Sequence, residues 1–186
     1  MGLRAGKYNM RRVVLVLGAF VLGCLAASNV FAKPKQKGDI RRINFLNATY
    51  EAGCAGFRVA VRNGVYAPAQ AGFVFHVIVS YGDLTGDGQA EAMVLTQCDG
   101  AVQNLSEVRV YTLRRHRLVQ LARLETGTKN GGDILAARIT GDKLRATRGP
   151  GPQNCPQADY AAQEITVYRW RGNRLQRSGP IICKVL

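Results

Sequence analysis

A mostly β domain behind an N-terminal signal helix is the fold this sequence predicts, built as a single antiparallel sheet meander, a curled sheet or a sandwich. Three observations carry that expectation. Phe73, Phe75, Val77, Val79 and Tyr81 alternate with Val74, His76, Ile78 and Ser80, the period of two that turns one face of a strand into a core. Turn signals recur at short intervals, at Asn63-Gly64, Gly82 to Gly88, Asp99-Gly100, Asn130 to Asp133, Gly141-Asp142, Gly149 to Pro152 and Gly172-Asn173. Ahead of them lies an apolar run with a positive leader and no acid, the pattern of an export signal and not of a domain.

Arg4, Lys7, Arg11 and Arg12 form the positive segment, Val13 to Val30 the apolar one, and Val30-Phe31-Ala32 an A-x-A-like cleavage site, so residues 1–32 read as a signal peptide. Phe20-Val21-Leu22-Gly23-Cys24 also fits a lipobox, in which Cys24 would be lipidated and become the new N-terminus. Left uncleaved, Val13 to Ala32 is just long enough to span a bilayer. The Arg11-Arg12 pair lacks the polar and Phe-Leu neighbours of a twin-arginine signal. The chain is therefore expected to be exported, periplasmic or extracellular, with a membrane-anchored lipoprotein as the alternative.

Residues 33–38 form a basic leader and 39–186 a single β domain, long enough to bury about 68–70% of its unfolded surface. Strands are expected at Arg41 to Tyr50, Gly56 to Arg62, Phe73 to Tyr81, Ala90 to Gln97, Glu107 to Arg114 and Arg117 to Leu124, then at Leu135 to Thr140, Lys143 to Arg148, Glu164 to Arg171 and Arg174 to Ser178. His76, on the second face of its strand, reads as a sheet histidine and not as a ligand or base. Gly141-Asp142 and Gly172-Asn173 repeat one two-residue hairpin chemistry.

Once Cys24 leaves with the signal, Cys54, Cys98, Cys155 and Cys183 remain, an even number in a chain bound for an oxidising compartment. Three pairings are possible. Cys54 with Cys98 and Cys155 with Cys183 is favoured, because each bridge then closes a loop within one half of the chain. A zinc site is disfavoured, since no two of the four stand at CxxC spacing and His76 and His116 are distant from all of them in sequence.

Four of the 26 Lys and Arg precede residue 33, so the remainder carries a net charge of +10 against its 12 acids. That excess biases the surface toward an anionic partner, which outside the cytoplasm means an envelope component: anionic lipid, polymer or protein. Direct membrane attachment is expected only through a lipid on Cys24 or an uncleaved signal. Nucleic acid is excluded on pattern as well as place. Arg114-Arg115-His116-Arg117 falls at a hairpin tip, and Tyr168-Arg169-Trp170-Arg171 alternates as a strand with one buried side does, although stacking surfaces for single strands share that composition.

The sharpest motif follows the Phe73 strand. Asp83, Thr85 and Asp87 stand at loop positions 1, 3 and 5, Gly88 at 6, the Gln89 carbonyl at 7 and Glu91 at 9, a spacing that can converge oxygens on a hard cation. Calcium is the cofactor this would imply. The other reading is a metal-free hairpin whose Asp83 and Asp87 bond their own loop amides. The loop resembles the short calcium loops of FG-GAP repeats, which join two strands. Thr85 departs from their Asp or Asn and Glu91 from their Asp.

With Ile43 to Tyr50, Arg62 to Tyr66 and Tyr168 to Leu175, the Gly82 to Ala92 loop also resembles the landmarks of small secreted or lipidated bacterial domains, most of them without an assigned activity. That resemblance implies a bacterial envelope location and a mostly β fold, and carries over no catalytic residue. No G-x-S-x-G elbow, P-loop or dinucleotide fingerprint occurs. The sequence is thus read as a non-catalytic extracytoplasmic binding or structural module with a basic surface. Its alternatives are a calcium-dependent module using the Asp83 loop, or an inhibitor of a secreted or periplasmic enzyme that inserts Gly149 to Cys155. The sequons Asn47-Ala48-Thr49 and Asn104-Leu105-Ser106 add little in a bacterial chain.

Overall fold

The computed structural model describes residues 38–54, 56–70, 72–100, 105–125, 132–149, 155 and 162–185. Residues 1–32 with Cys24, where a signal is expected, and residues 150–154 of the loop expected to insert in the inhibitor reading lie outside the described residues.

The chain is mostly β and antiparallel, as expected; of the single meander, curled sheet or sandwich that the sequence allowed, the first two give way to separate, uncurled sheets, three among the described residues. A two-stranded hairpin joins β1 (Thr49–Ala52) to β2 (Phe57–Ala60). A five-stranded meander then runs β3 (Val65–Tyr66), β4 (Val74–Gly82), β5 (Glu91–Asp99), β6 (Ser106–Arg114) and β7 (Arg117–Glu125). A second meander follows, β8 (Ile134–Thr140), β9 (Lys143–Arg148), β10 (Ala162–Arg171) and β11 (Arg174–Arg177), with β12 (Ile182–Val185) pairing the first half of β10 beside β11.

Hydrophobic periodicity explains why separate sheets form. On β5, Ala92 and Val94 turn one way and Met93 and Leu95 the other, and all four are buried. The first pair joins Phe75 and Val77 of β4 against Ile40, Phe45, Tyr50 and Val59 of the N-terminal layer. The second joins Val108 and Val110 against Ile134, Ile139, Leu144 and Ala146 of the second meander. The central sheet is therefore covered on both faces, and one curled sheet could not supply both layers.

Polar groups fix how the second meander lies on the first. Among the described residues its edge strand β8 has no neighbouring strand on one side, and the central sheet fills that role with side chains. Ser106 Oγ accepts from Ile134 N (2.6 Å) and Ser80 Oγ from Ile139 N (3.1 Å), while Gln97 Nε2 donates to the carbonyls of Ile134 (2.9 Å) and Leu135 (3.2 Å). Gly82 permits a close approach: a Cβ there would fall 2.4 Å from Ile139 Cγ2.

Both expected disulfides form, Cys54–Cys98 with Cα atoms 6.4 Å apart and Cys155–Cys183 with 5.8 Å. The first ties the N-terminal hairpin to the end of β5. These are bonds of an oxidising compartment.

One expected strand is replaced. Arg41 to Tyr50 forms two 3₁₀ turns, Ile40–Arg42 and Phe45–Asn47, and only then enters β1. Local side-chain bonds outcompete extension here: Asp39 caps Arg41 N (3.0 Å), Asn47 Nδ2 donates to Asn44 Oδ1 (3.0 Å), and Tyr50 Oη donates to Phe45 O (2.6 Å). That buried phenol is pushed up to about 12, chiefly by desolvation, with Tyr111 and Tyr81 adding to it. The short β3 and β12 were not expected, each depending on a partner strand and not on its own pattern.

Candidate functional site

The Asp83 to Glu91 loop joins β4 to β5, as its spacing implies, and its carboxylates are bound to the loop's own donors. Asp83 Oδ1 accepts from Gly86 N (2.8 Å) and Asp87 N (3.1 Å), and Oδ2 from Gly88 N (2.9 Å). Asp87 accepts from Gln89 N (2.9 Å) and Gln89 Nε2 (2.7 Å). Glu91, fully buried as the first residue of β5, accepts at Oε2 from Leu84 N (2.9 Å) and Thr85 N (3.0 Å). Its Oε1 lies 3.4 Å from Thr85 Oγ1 and 3.3 Å from Thr112 Oγ1 on β6.

Glu91 is thus a clamp. It holds the loop so that Leu84 drops into the core between the sheets. Desolvation raises its pKa, the two amide bonds from Thr85 and Leu84 pull it back, and the charges of Asp87 and Asp83 raise it again. Among the described residues no group of three or more His, Cys, Asp or Glu is placed to hold a metal ion. Asp83, Thr85, Asp87, Gln89 and Glu91 come together in one loop, but the carboxylates of Asp83, Asp87 and Glu91 serve hydrogen-bond donors within the fold. This is the arrangement of a hairpin whose Asp83 and Asp87 bond their own loop amides.

The other sequence-predicted groups fall as follows. His76 Nε2 lies 3.3 Å from Asp99 Oδ2 beside the Cys54–Cys98 bridge. Arg114 to Arg117 form the exposed β6–β7 tip, where Arg115 (φ 51°) and His116 (φ 65°) are both left-handed without a glycine. Tyr168 and Trp170 pack inward against the inter-sheet core. Arg169 and Arg171 turn the opposite way.

That alternation leads to the feature sequence reading missed. The register places Arg138 of β8 opposite Arg145 of β9, Lys143 of β9 opposite Arg169 of β10, and Arg171 of β10 opposite Arg174 of β11. All six point away from the core. They make three successive rows of paired cations across four strands. Among the described residues, the acid that reaches them is Asp142 in the β8–β9 turn, whose Oδ2 lies 3.4 Å from Arg169 Nε. Other arginines are engaged within the fold: Arg109 and Arg123 share the carboxylate of Glu107. Burial pushes the Glu107 carboxyl up, but its two guanidinium partners outweigh this and hold it below the usual range.

Like charges directly opposite one another weaken a sheet, on the scale of about 0.2–1 kcal/mol per pair. Three such pairs on one face are therefore carried against stability. The signal was present at period two in Lys143/Arg145 and Arg169/Arg171, but only the register aligns the strands into rows. No family model, curated protein or solved structure matches this chain.

Proposed function

We propose that this chain is a non-catalytic extracytoplasmic binding module whose outward β8–β11 face takes an anionic component of the bacterial envelope. The observation that carries the reading is the set of three cross-strand cation pairs, Arg138/Arg145, Lys143/Arg169 and Arg171/Arg174. Self-repulsion of this kind is relieved when phosphate or carboxylate groups sit between the side chains, and guanidinium binds both in a bidentate way. The two disulfides and the signal-like residues 1–32 support a place outside the cytoplasm.

The test is titration of the oxidised protein with polyphosphate, a soluble polyanion, while NaCl rises from about 0.1 to about 1 M and the screening length falls from about 10 to about 3 Å. Binding is expected to weaken steeply with salt, and to lose about a third of that dependence in Arg138→Gln/Arg145→Gln, which removes two of the six cations. A double variant that binds as tightly as the parent would remove the face from consideration.

A further inference from the structure

The arrangement of the cations narrows the kind of anion. They are spread in two dimensions, about 15 Å across four strands and about 14 Å along three rows, and are not filed along a groove. A linear polymer would meet one line of such an array. A plane of charges would meet all of it.

The next row on the same face runs through Ala136 of β8, Thr147 of β9, Ile165 of β10 and Ile182 of β12. Ile165 is buried, so the apolar groups this row exposes are Ala136 and Ile182, the latter 52% exposed. Val167 stands beside Arg145 in the adjoining cation row. Exposed Lys184 follows Ile182 at period two on β12, returning a cation beyond the Ile182 row. Aliphatic side chains flanked by cations on one face are the composition that seats a surface at the boundary between headgroups and acyl chains.

We propose that the partner of this face is an anionic phospholipid surface, its phosphates held by the Arg138/Arg145, Lys143/Arg169 and Arg171/Arg174 rows and Ile182 entering the headgroup layer. The inference rests on the anion-binding reading of the face and goes beyond it, because it gives the folded domain a membrane contact of its own, separate from any lipid on Cys24 or retained signal.

The experiment is co-sedimentation of the exported protein with vesicles of phosphatidylcholine containing about 30% phosphatidylglycerol, against phosphatidylcholine alone and against soluble polyphosphate. Each cation near such a surface is worth about fivefold in partitioning, so Arg138→Glu/Arg145→Glu, a change of four unit charges, is expected to lower partitioning on the order of 10³-fold. The milder Arg138→Gln/Arg145→Gln, which keeps the face polar, is expected to lower it about 25-fold. Arg42→Glu/Arg62→Glu, matched in charge but placed in the N-terminal layer, is expected to have a much smaller effect.

Binding of polyphosphate but not of anionic vesicles, with the same variants sensitive, would overturn the lipid inference and leave the anion-binding face standing. Binding of neither probe, or equal loss in the face and N-terminal variants, would overturn both.

Discussion

Gly82→Ala tests the stacking of the two meanders directly. The added methyl would sit 2.4 Å from Ile139 Cγ2 and 3.2 Å from its Cβ, where carbon atoms rest at about 3.5–4.0 Å. Either the sheets part by about 1 Å or Ile139 leaves its rotamer, and overpacking of that order costs about 1–3 kcal/mol. At about 2–4 °C per kcal/mol for a chain of this size, the melting temperature should fall by several degrees. Ile139→Ala alone empties a site that is 6% exposed and should cost about 2–5 kcal/mol.

Combined, the methyl added at Gly82 occupies space that Ile139 vacated, so the double variant should lose at least about 1 kcal/mol less than the sum of the singles. Urea unfolding of the four oxidised proteins measures the cycle. Additivity within about 0.5 kcal/mol would refute the contact and, with it, the placement of β8 across the end of β4.

Three further outcomes follow from the loops. Arg115→Asn with His116→Gly relieves two left-handed residues that each cost about 1 kcal/mol or more, partly offset by the freedom glycine gives the unfolded chain; calorimetry should show a rise of about 2–4 °C, and a fall would mean the tip is not a primed turn. Because the Glu91 pKa is raised in the fold, its contribution is fully present below the ordinary carboxylate value and is lost as pH rises through the raised one. Melting curves from about pH 4 to about pH 8 should therefore show Glu91→Gln gaining on the parent as pH rises, and a constant difference would contradict the burial argument. Calcium at about 1 mM should leave the melting temperature within about 1 °C of its value in chelator, whereas a 10 μM site would add about 2.7 kcal/mol; a rise of about 5–10 °C abolished by Asp87→Ala would restore the cation reading of the loop.

The sequence was most legible where a pattern is local. Alternation in Phe73 to Tyr81 identified β4 and its core face, and Asn63-Gly64 marked a hairpin in which Asn63 (φ 51°) and Gly64 (φ 79°) are both left-handed. The cysteine pairing was also legible, because short closures within each half fit the fold. Three things were not. Arg41 to Tyr50 looks extended by composition, yet the Asp39, Asn44 and Asn47 side chains bond the backbone or one another and turn it. The spacing of Glu91 in its loop carries no sign that its carboxylate is buried and accepts from Leu84 N and Thr85 N. The cation rows depend on three strand registers at once, and register follows from tertiary pairing.

Ser80, Gln97 and Ser106 have a consequence for how this protein meets copies of itself. An edge strand with open amides is a template on which a second chain can add, the usual start of strand-mediated aggregation. β8 offers no such template at Ile134, Leu135 and Ile139, because those groups are already matched by side chains of the central sheet. The same four bonds act as a ruler: a slip of β8 by one residue would break all of them, and would also turn Ile139 out of the core and Arg138 into it. Polymerisation by strand addition would have to begin at another edge, and Ser80→Ala/Ser106→Ala should expose how much solubility the blocked edge provides.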